Sequence, residues 1–260
     1  MPLSLIKIQS GSGRKIPGVF LHGFMGSVSD WFGLEFPATF PAFAIDLPGH
    51  GGASEDITQF ADFDLVVDEI YRTVQDAGME KIRLIGYSMG GRIAIAVAHR
   101  YPELVETLVL ESASTGISNA ADRLARLELD QARSELLIAQ PERFIRSWFD
   151  APIFDSLRTH PDLADRLIAN RLRGPADAWA RAVIAFSPGN QLDFEPWLSE
   201  YRGKTGMITG SLDHIFTEQA AALHRKNKRI RHITVLKAGH NVHLEQPDMY
   251  LAALSELLGW

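Results

Sequence analysis

The chain has 260 residues, 46% of them hydrophobic and 22% charged, which suits one globular α/β domain with an insertion and a sizeable core. A net charge of −6 with no long basic run argues against nucleic acid as a partner, and the lack of cysteine excludes disulfides, a thiol nucleophile and thiolate metal sites. No apolar run is long enough to span a bilayer, and Met1 to Lys15 lacks the apolar core of a signal peptide, so a cytoplasmic protein is expected.

Leu3 to Ile8 alternates and reads as a first strand at a sheet edge, followed by a turn at Ser10-Gly11-Ser12-Gly13. Pro17 to Leu21 is a buried strand that runs directly into His22-Gly23-Phe24-Met25-Gly26. Phe43 to Asp46 is another buried strand, closed by the loop Leu47-Pro48-Gly49-His50-Gly51-Gly52. Apolar residues at 63, 66, 67, 70 and 74 have helical spacing, and Gly78 ends that helix.

Ile82 to Ile85 is then a strand, Gly86-Tyr87-Ser88-Met89-Gly90 a Gly-x-Ser-x-Gly turn, and Arg92 to His99 a helix. Strand, sharp turn and helix in that order form a nucleophile elbow: the serine sits in a strained conformation with its hydroxyl raised above the sheet. The glycines are required because side chains there would strike the neighbouring strand and helix. With such an elbow, the backbone N–H groups of Phe24 and Met89 are the expected oxyanion hole.

Val105 to Leu110 is a further strand. From Gly116 to about Glu195 strand signals stop, and short amphipathic helices rich in arginine and large apolar residues take over. The organisation expected is a core from 1 to 115, a helical cap inserted at 116–195, and the rest of the core from 196 to 260. Inserts over a sheet commonly carry specificity. Alternation returns with a strand at Thr205–Gly210, a helix at Thr217–Lys226, a strand at His232–Leu236 and a closing helix at Pro247–Leu258 that has proline in its first turn.

Ser88, Asp213 and His240 each follow a predicted parallel strand, and in a parallel sheet such loops share one edge. His240 would take the Ser88 proton, and Asp213 would hold the imidazole tautomer. Glu111 is an alternative acid and His243 a rival base, whereas Asp46 and His50 read as structural because the elbow's order places acid and base later in the chain. Arg92, four residues after Ser88 on the same helix, leans back toward the serine. It either binds a substrate carboxylate or pairs with an internal acid. The scattered histidines lack metal-ligand spacing, and no phosphate loop or dinucleotide fingerprint is present, so no cofactor is expected.

Gly86-Tyr87-Ser88-Met89-Gly90-Gly91-Arg92, His22-Gly23-Phe24-Met25-Gly26, Asp46-Leu47-Pro48-Gly49-His50-Gly51, Leu110-Glu111-Ser112-Ala113-Ser114 and Ala238 to Glu245 together resemble an α/β-hydrolase-fold lyase family of menaquinone and phylloquinone biosynthesis, the 2-succinyl-6-hydroxy-2,4-cyclohexadiene-1-carboxylate synthases. The resemblance spans nearly the whole chain. Its specific signals are Tyr87, Arg92, the Arg123-x-x-Arg126 pair, and Trp148 ahead of Pro152-x-Phe154. It implies an α/β-hydrolase fold and elimination of pyruvate from a small anionic substrate by Ser88, His240 and Asp213. Tyr87, Arg92, Arg126 and Trp148 would bind that substrate. One departure is Ile168, at a cap position where the family carries arginine; Arg166 or Arg171 would have to substitute. A serine carboxylesterase, a carbon–carbon bond hydrolase and a non-catalytic ligand-binding protein are the competing readings. Oligomeric state has no sequence signal.

Overall fold

The computed structural model describes residues 3–11, 15–59 and 62–260. Ser12 and Gly13 of the expected first turn lie outside the described residues. Seven strands form one sheet among the described residues. They are β1 (Leu5–Gln9), β2 (Gly18–Leu21), β3 (Ala42–Ile45), β4 (Ile82–Tyr87), β5 (Val105–Glu111), β6 (Lys204–Gly210) and β7 (Ile230–Val235), in the order β1-β3-β2-β4-β5-β6-β7. β1 is antiparallel at one edge, and every other pairing is parallel.

The helices in chain order are α1 (Phe63–Asp76), α2 (Met89–Arg100), α3 (Ala120–Ala139), α4 (Pro141–Phe149), α5 (Pro161–Arg171), α6 (Ala176–Ala185), α7 (Glu195–Glu200), α8 (His214–Lys226), α9 (Val242–Glu245) and α10 (Pro247–Leu258). None among the described residues is long and apolar enough to cross a membrane. The inner strands β2 to β6 bury both faces, as a parallel sheet covered by helices requires, whereas the edge strands β1 and β7 are partly exposed. Leu84 and Leu108 point into a core shared with α1, α2 and α8, whereas Ile85 and Val109 point the other way, toward Trp31, Tyr250 and α10. This period of two lets β4 deliver Tyr87 to one face and the following elbow to the sheet's carboxyl edge.

Helices α3 to α6 and a 3₁₀ segment, Pro152–Thr159, fall between β5 and β6. They bury their own apolar clusters, one around Leu137, Phe144, Trp179 and Val183, another around Phe154, Leu157, Leu163 and Leu167. Met25 joins the first of these, so the loop after β2 is packed directly under the helices.

The elements start and stop close to where the residue pattern puts them. α8 begins at His214 instead of Thr217, because Asp213 caps it through Phe216 N, 3.4 Å away. β7 begins at Ile230, two residues before the expected start, where pairing with Thr205 extends the ladder.

Candidate active site

Ser88 has φ 50° and ψ −110°, a left-handed conformation that a non-glycine residue holds only when its surroundings over-determine it. Those surroundings are visible. Ser88 N donates to Glu111 O at 2.9 Å, which fixes the end of β4 to β5. A Cβ on Gly90 would lie 2.4 Å from Leu21 O and 2.5 Å from His22 O. A Cβ on Gly86 would lie 2.5 Å from Gly90 O. Only glycine lets strand and helix approach this closely. α2 therefore starts immediately after Ser88, with the positive end of its dipole at the hydroxyl.

His240 Nε2 lies 3.0 Å from Ser88 Oγ, and His240 Nδ1 lies 2.8 Å from Asp213 Oδ2. Asp213 and His240 are buried. With the carboxylate accepting the Nδ1 proton, Nε2 is left to accept from the serine hydroxyl. The loop carrying His240 is laced to Glu245, whose carboxylate accepts from Gly239 N at 2.8 Å and Asn241 N at 3.1 Å. Phe216 and Phe154 set their rings against the imidazole, with centroids at 4.8 and 5.7 Å.

The rival acid and base are joined to each other instead. Glu111 Oε1 accepts from His243 Nδ1 at 2.8 Å and from His243 N at 3.0 Å, and both side chains are fully buried. Trp31 stacks on His243, with centroids 4.3 Å apart. Asp46 accepts from Val28 N and Gly52 N at 2.8 Å and braces two loops. His22 Nε2 accepts from Leu47 N at 3.0 Å, so its Nδ1 donates to Gly23 O, 2.8 Å away. Burial pulls the His22 and His50 pKa values down, that of His50 furthest. Both rings are neutral scaffolding behind the loop that carries Phe24.

One cavity of about 200 Å³ gathers Ser88, His240, Phe24, Met89, Tyr87, Arg92, Arg126 and Trp148 in its lining. Among the described residues the N–H groups of Phe24 and Met89 have no protein acceptor; Met89 is the first residue of α2, where the helix itself supplies none. Tyr87 contributes its ring, but its hydroxyl is occupied in donating to Asn241 Oδ1.

Arg92 is buried, and it has no carboxylate partner among the described residues. Its Nη1 donates to Gln191 Oε1 at 2.5 Å and its Nη2 to Phe186 O at 2.8 Å. Burial first, then the nearby Arg126 charge, lower its pKa to about 9, while Asp130 opposes them. The guanidinium is cationic at neutral pH, with only neutral groups holding it. Arg126 is half-buried and gives its Nε to Asp130 Oδ2 at 2.8 Å. Arg123 turns away from the cavity, toward Gly189 O at 3.4 Å.

The expected substitutes for Ile168 do not reach the cavity. Arg166 is exposed, and Arg171 is bound to Asp30, with Nη2 3.0 and 3.1 Å from the two carboxylate oxygens. Ile168 packs on the apolar cluster beneath the helices. The third guanidinium in the lining is Arg133, one of the many arginines of the inserted helices. Its signal was present: positions 126, 130 and 133 share one helical face, as Arg, Asp and Arg.

Residues 19–247 match the model of the alpha/beta hydrolase fold family. The chain is 32% identical over 243 residues, 92% of both chains, to the 2-succinyl-6-hydroxy-2,4-cyclohexadiene-1-carboxylate synthase of Klebsiella pneumoniae subsp. pneumoniae. The synthase of the same name from Serratia proteamaculans is 30% identical over 254 residues, 96% of each chain. The chain belongs to the α/β-hydrolase-fold family and, within it, to the 2-succinyl-6-hydroxy-2,4-cyclohexadiene-1-carboxylate synthases. Among solved structures, MenH from S. aureus superposes on this synthase-family chain with a TM-score of 0.92 at 27% identity, covering 100% of this chain and 98% of its own.

Proposed function

We propose that this protein eliminates pyruvate from 2-succinyl-5-enolpyruvyl-6-hydroxy-3-cyclohexene-1-carboxylate to give 2-succinyl-6-hydroxy-2,4-cyclohexadiene-1-carboxylate, the compound named in its relatives. The electron flow follows from the two names. The Ser88–His240 pair removes the ring C2 proton, α to the succinyl carbonyl, and Asp213 stabilises the imidazolium that forms. The charge passes to the carbonyl oxygen as an enolate, held by the N–H groups of Phe24 and Met89. As the carbonyl re-forms, C2=C3 appears, C3=C4 shifts to C4=C5, and the C5–O bond breaks. The departing enolpyruvate takes a proton and becomes pyruvate. No acyl-enzyme is needed, and an oxyanion donor of this kind is worth about 10²–10³ in rate.

The observation that carries the reading is Arg92. A buried guanidinium with only neutral partners, in the same cavity as Ser88 and His240, is suited to a substrate carboxylate. Tyr87 and Trp148 complete the walls of that site. In this reading residues 116–195 are a cap that supplies substrate specificity to a core formed by 1–115 and 196–260. On the same reading the enzyme works in the cytoplasm.

The test is pyruvate release from the purified protein, beside a no-enzyme control and a short-chain nitrophenyl ester. Release well above the control that Ser88→Ala abolishes, with little ester cleavage, is the expected result. Release at the control rate with efficient ester cleavage would reassign the site to ester hydrolysis.

A further inference from the structure

Three guanidiniums, those of Arg92, Arg126 and Arg133, line the cavity. One carboxylate, Asp130, answers the last two, and it is buried to 1% exposure. Its oxygens are divided: Oδ2 accepts from Arg126 Nε and Oδ1 from Arg133 Nη1, each at 2.8 Å. Four and three residues of helix separate the acid from its partners, so all three side chains share the face of α3 turned toward the cavity. Each arginine spends one N–H on Asp130, and the other donors of its fork have no protein acceptor among the described residues. Side-chain exposures of 31% and 27% show that neither is sealed in.

Arg133 is held from a second direction. Its Cζ sits 5.2 Å from the centroid of the Trp148 ring, within cation–π range. Trp148 in turn packs edge-on against Phe24, with centroids 5.2 Å apart. The guanidinium is thus fixed by a carboxylate on one side and an aromatic face on another, and the aromatic face rests on the residue expected to supply an oxyanion N–H. A fork fixed in advance loses little freedom when it takes up a ligand. A lone surface pair on one helix would need neither the buried acid nor the ring.

We propose that Arg133 anchors a second substrate carboxylate, apart from the one at Arg92, and that Asp130 is the positioning residue that sets Arg126 and Arg133 side by side. The ligand class is a compound with two or more carboxylates; the inference rests on the reading of this cavity as a carboxylate site. It also accounts for an apolar Ile168: the third cation of the cavity comes from α3 instead of α5.

The experiment compares Arg133→Gln and Arg133→Lys with wild type, and uses Arg143→Gln, an exposed arginine outside the cavity, as the control for bulk charge. Kinetics use the enolpyruvyl substrate; binding is read by tryptophan fluorescence with 4-oxoheptanedioate (two carboxylates) and 4-oxopentanoate (one). Losing one charge-assisted contact should raise KM about ten-fold or more while kcat stays within about three-fold. Arg133→Gln should also erase the preference for the dicarboxylate, Arg133→Lys should restore part of it, and Arg143→Gln should resemble wild type. A folded Arg133→Gln protein with KM within about two-fold of wild type, a loss confined to kcat, or an equal loss in Arg143→Gln would overturn the proposal. If wild type releases no pyruvate, the proposed reaction fails, and the fluorescence arm still decides Arg133: a dicarboxylate preference that the variant loses supports the anchor, and no preference in wild type refutes it.

Discussion

Arg171 of α5 and Asp30 of the loop after β2 form an ion pair in which neither side chain exceeds 11% exposure. Asp30 also accepts from Ser27 N at 3.3 Å, three residues from Phe24. The pair therefore ties α5 to the loop expected to supply an oxyanion donor. Removing one partner leaves a buried charge uncompensated. Asp30→Ala or Arg171→Met alone should lower stability by about 3–5 kcal/mol, and the double variant should recover part of it. Urea unfolding of the four proteins measures the coupling. Simple additivity of the two losses would show that the residues act independently.

Arg92 separates substrate binding from the acid–base machinery. Arg92→Ala should reduce kcat/KM for the anionic substrate by about ten-fold to a hundred-fold. Slow hydrolysis of a neutral nitrophenyl ester, which needs only Ser88 and His240, should change much less. Taking the ratio within one preparation cancels any loss of folded protein, and an equal fall on both substrates would remove the carboxylate-binding role.

Two buried histidine–acid pairs occupy the carboxyl edge of the sheet, and only Asp213–His240 contacts the Ser88 hydroxyl. Asp213→Asn removes the acceptor that fixes the His240 tautomer and should lower kcat by about 10⁴. Glu111→Gln disturbs a buried pair remote from the hydroxyl and should lower the denaturation midpoint while leaving most of kcat. Stopped-flow or steady-state rates on both variants check this. A larger kcat loss in Glu111→Gln would reverse the assignment of the two pairs.

Much of this site was legible in the chain order. Ser88, Asp213 and His240 each follow a strand, and a parallel sheet carries such loops to one edge. The glycines flanking Ser88 announce a close approach that the carbonyls of residues 21 and 22 make concrete. Sequence favours His240 over His243 only because it falls first after the strand. They are three residues apart, and which one meets Ser88 depends on where α9 begins and on which pocket Trp31 fills. Arg133 was legible as a spacing but not as part of the site. On a solvated helix, arginine is common, and only the burial of Asp130 distinguishes this one. Arg171 shows the converse: a well-placed arginine whose partner, Asp30, lies 141 positions away.

Acid should weaken the fold before the carboxylates titrate. His22 and His50 are buried with pKa values lowered chiefly by desolvation. In the unfolded chain they return to an ordinary value near 6.5, so below that pH the unfolded state binds protons that the folded state refuses. Stability is then fully present above about pH 6.5 and falls as the pH drops, by up to about 1.4 kcal/mol per unit for each ring. Denaturant unfolding at several pH values between neutrality and mild acid measures the slope, and His50→Gln should flatten it. A slope of opposite sign would mean that these rings are charged in the fold.

The Arg126–Asp130–Arg133 face makes the specificity of the cavity a matter of helical phase. Each residue along an α-helix turns its side chain by about 100°. One residue inserted in α3 before position 126 would swing all three away from the cavity together, whereas one inserted between 126 and 133 would split the pair and leave a single cation facing in. Neither change touches Ser88, Asp213 or His240. Substrate preference in this molecule can therefore drift by insertion and deletion in one helix while the acid–base machinery stays as it is.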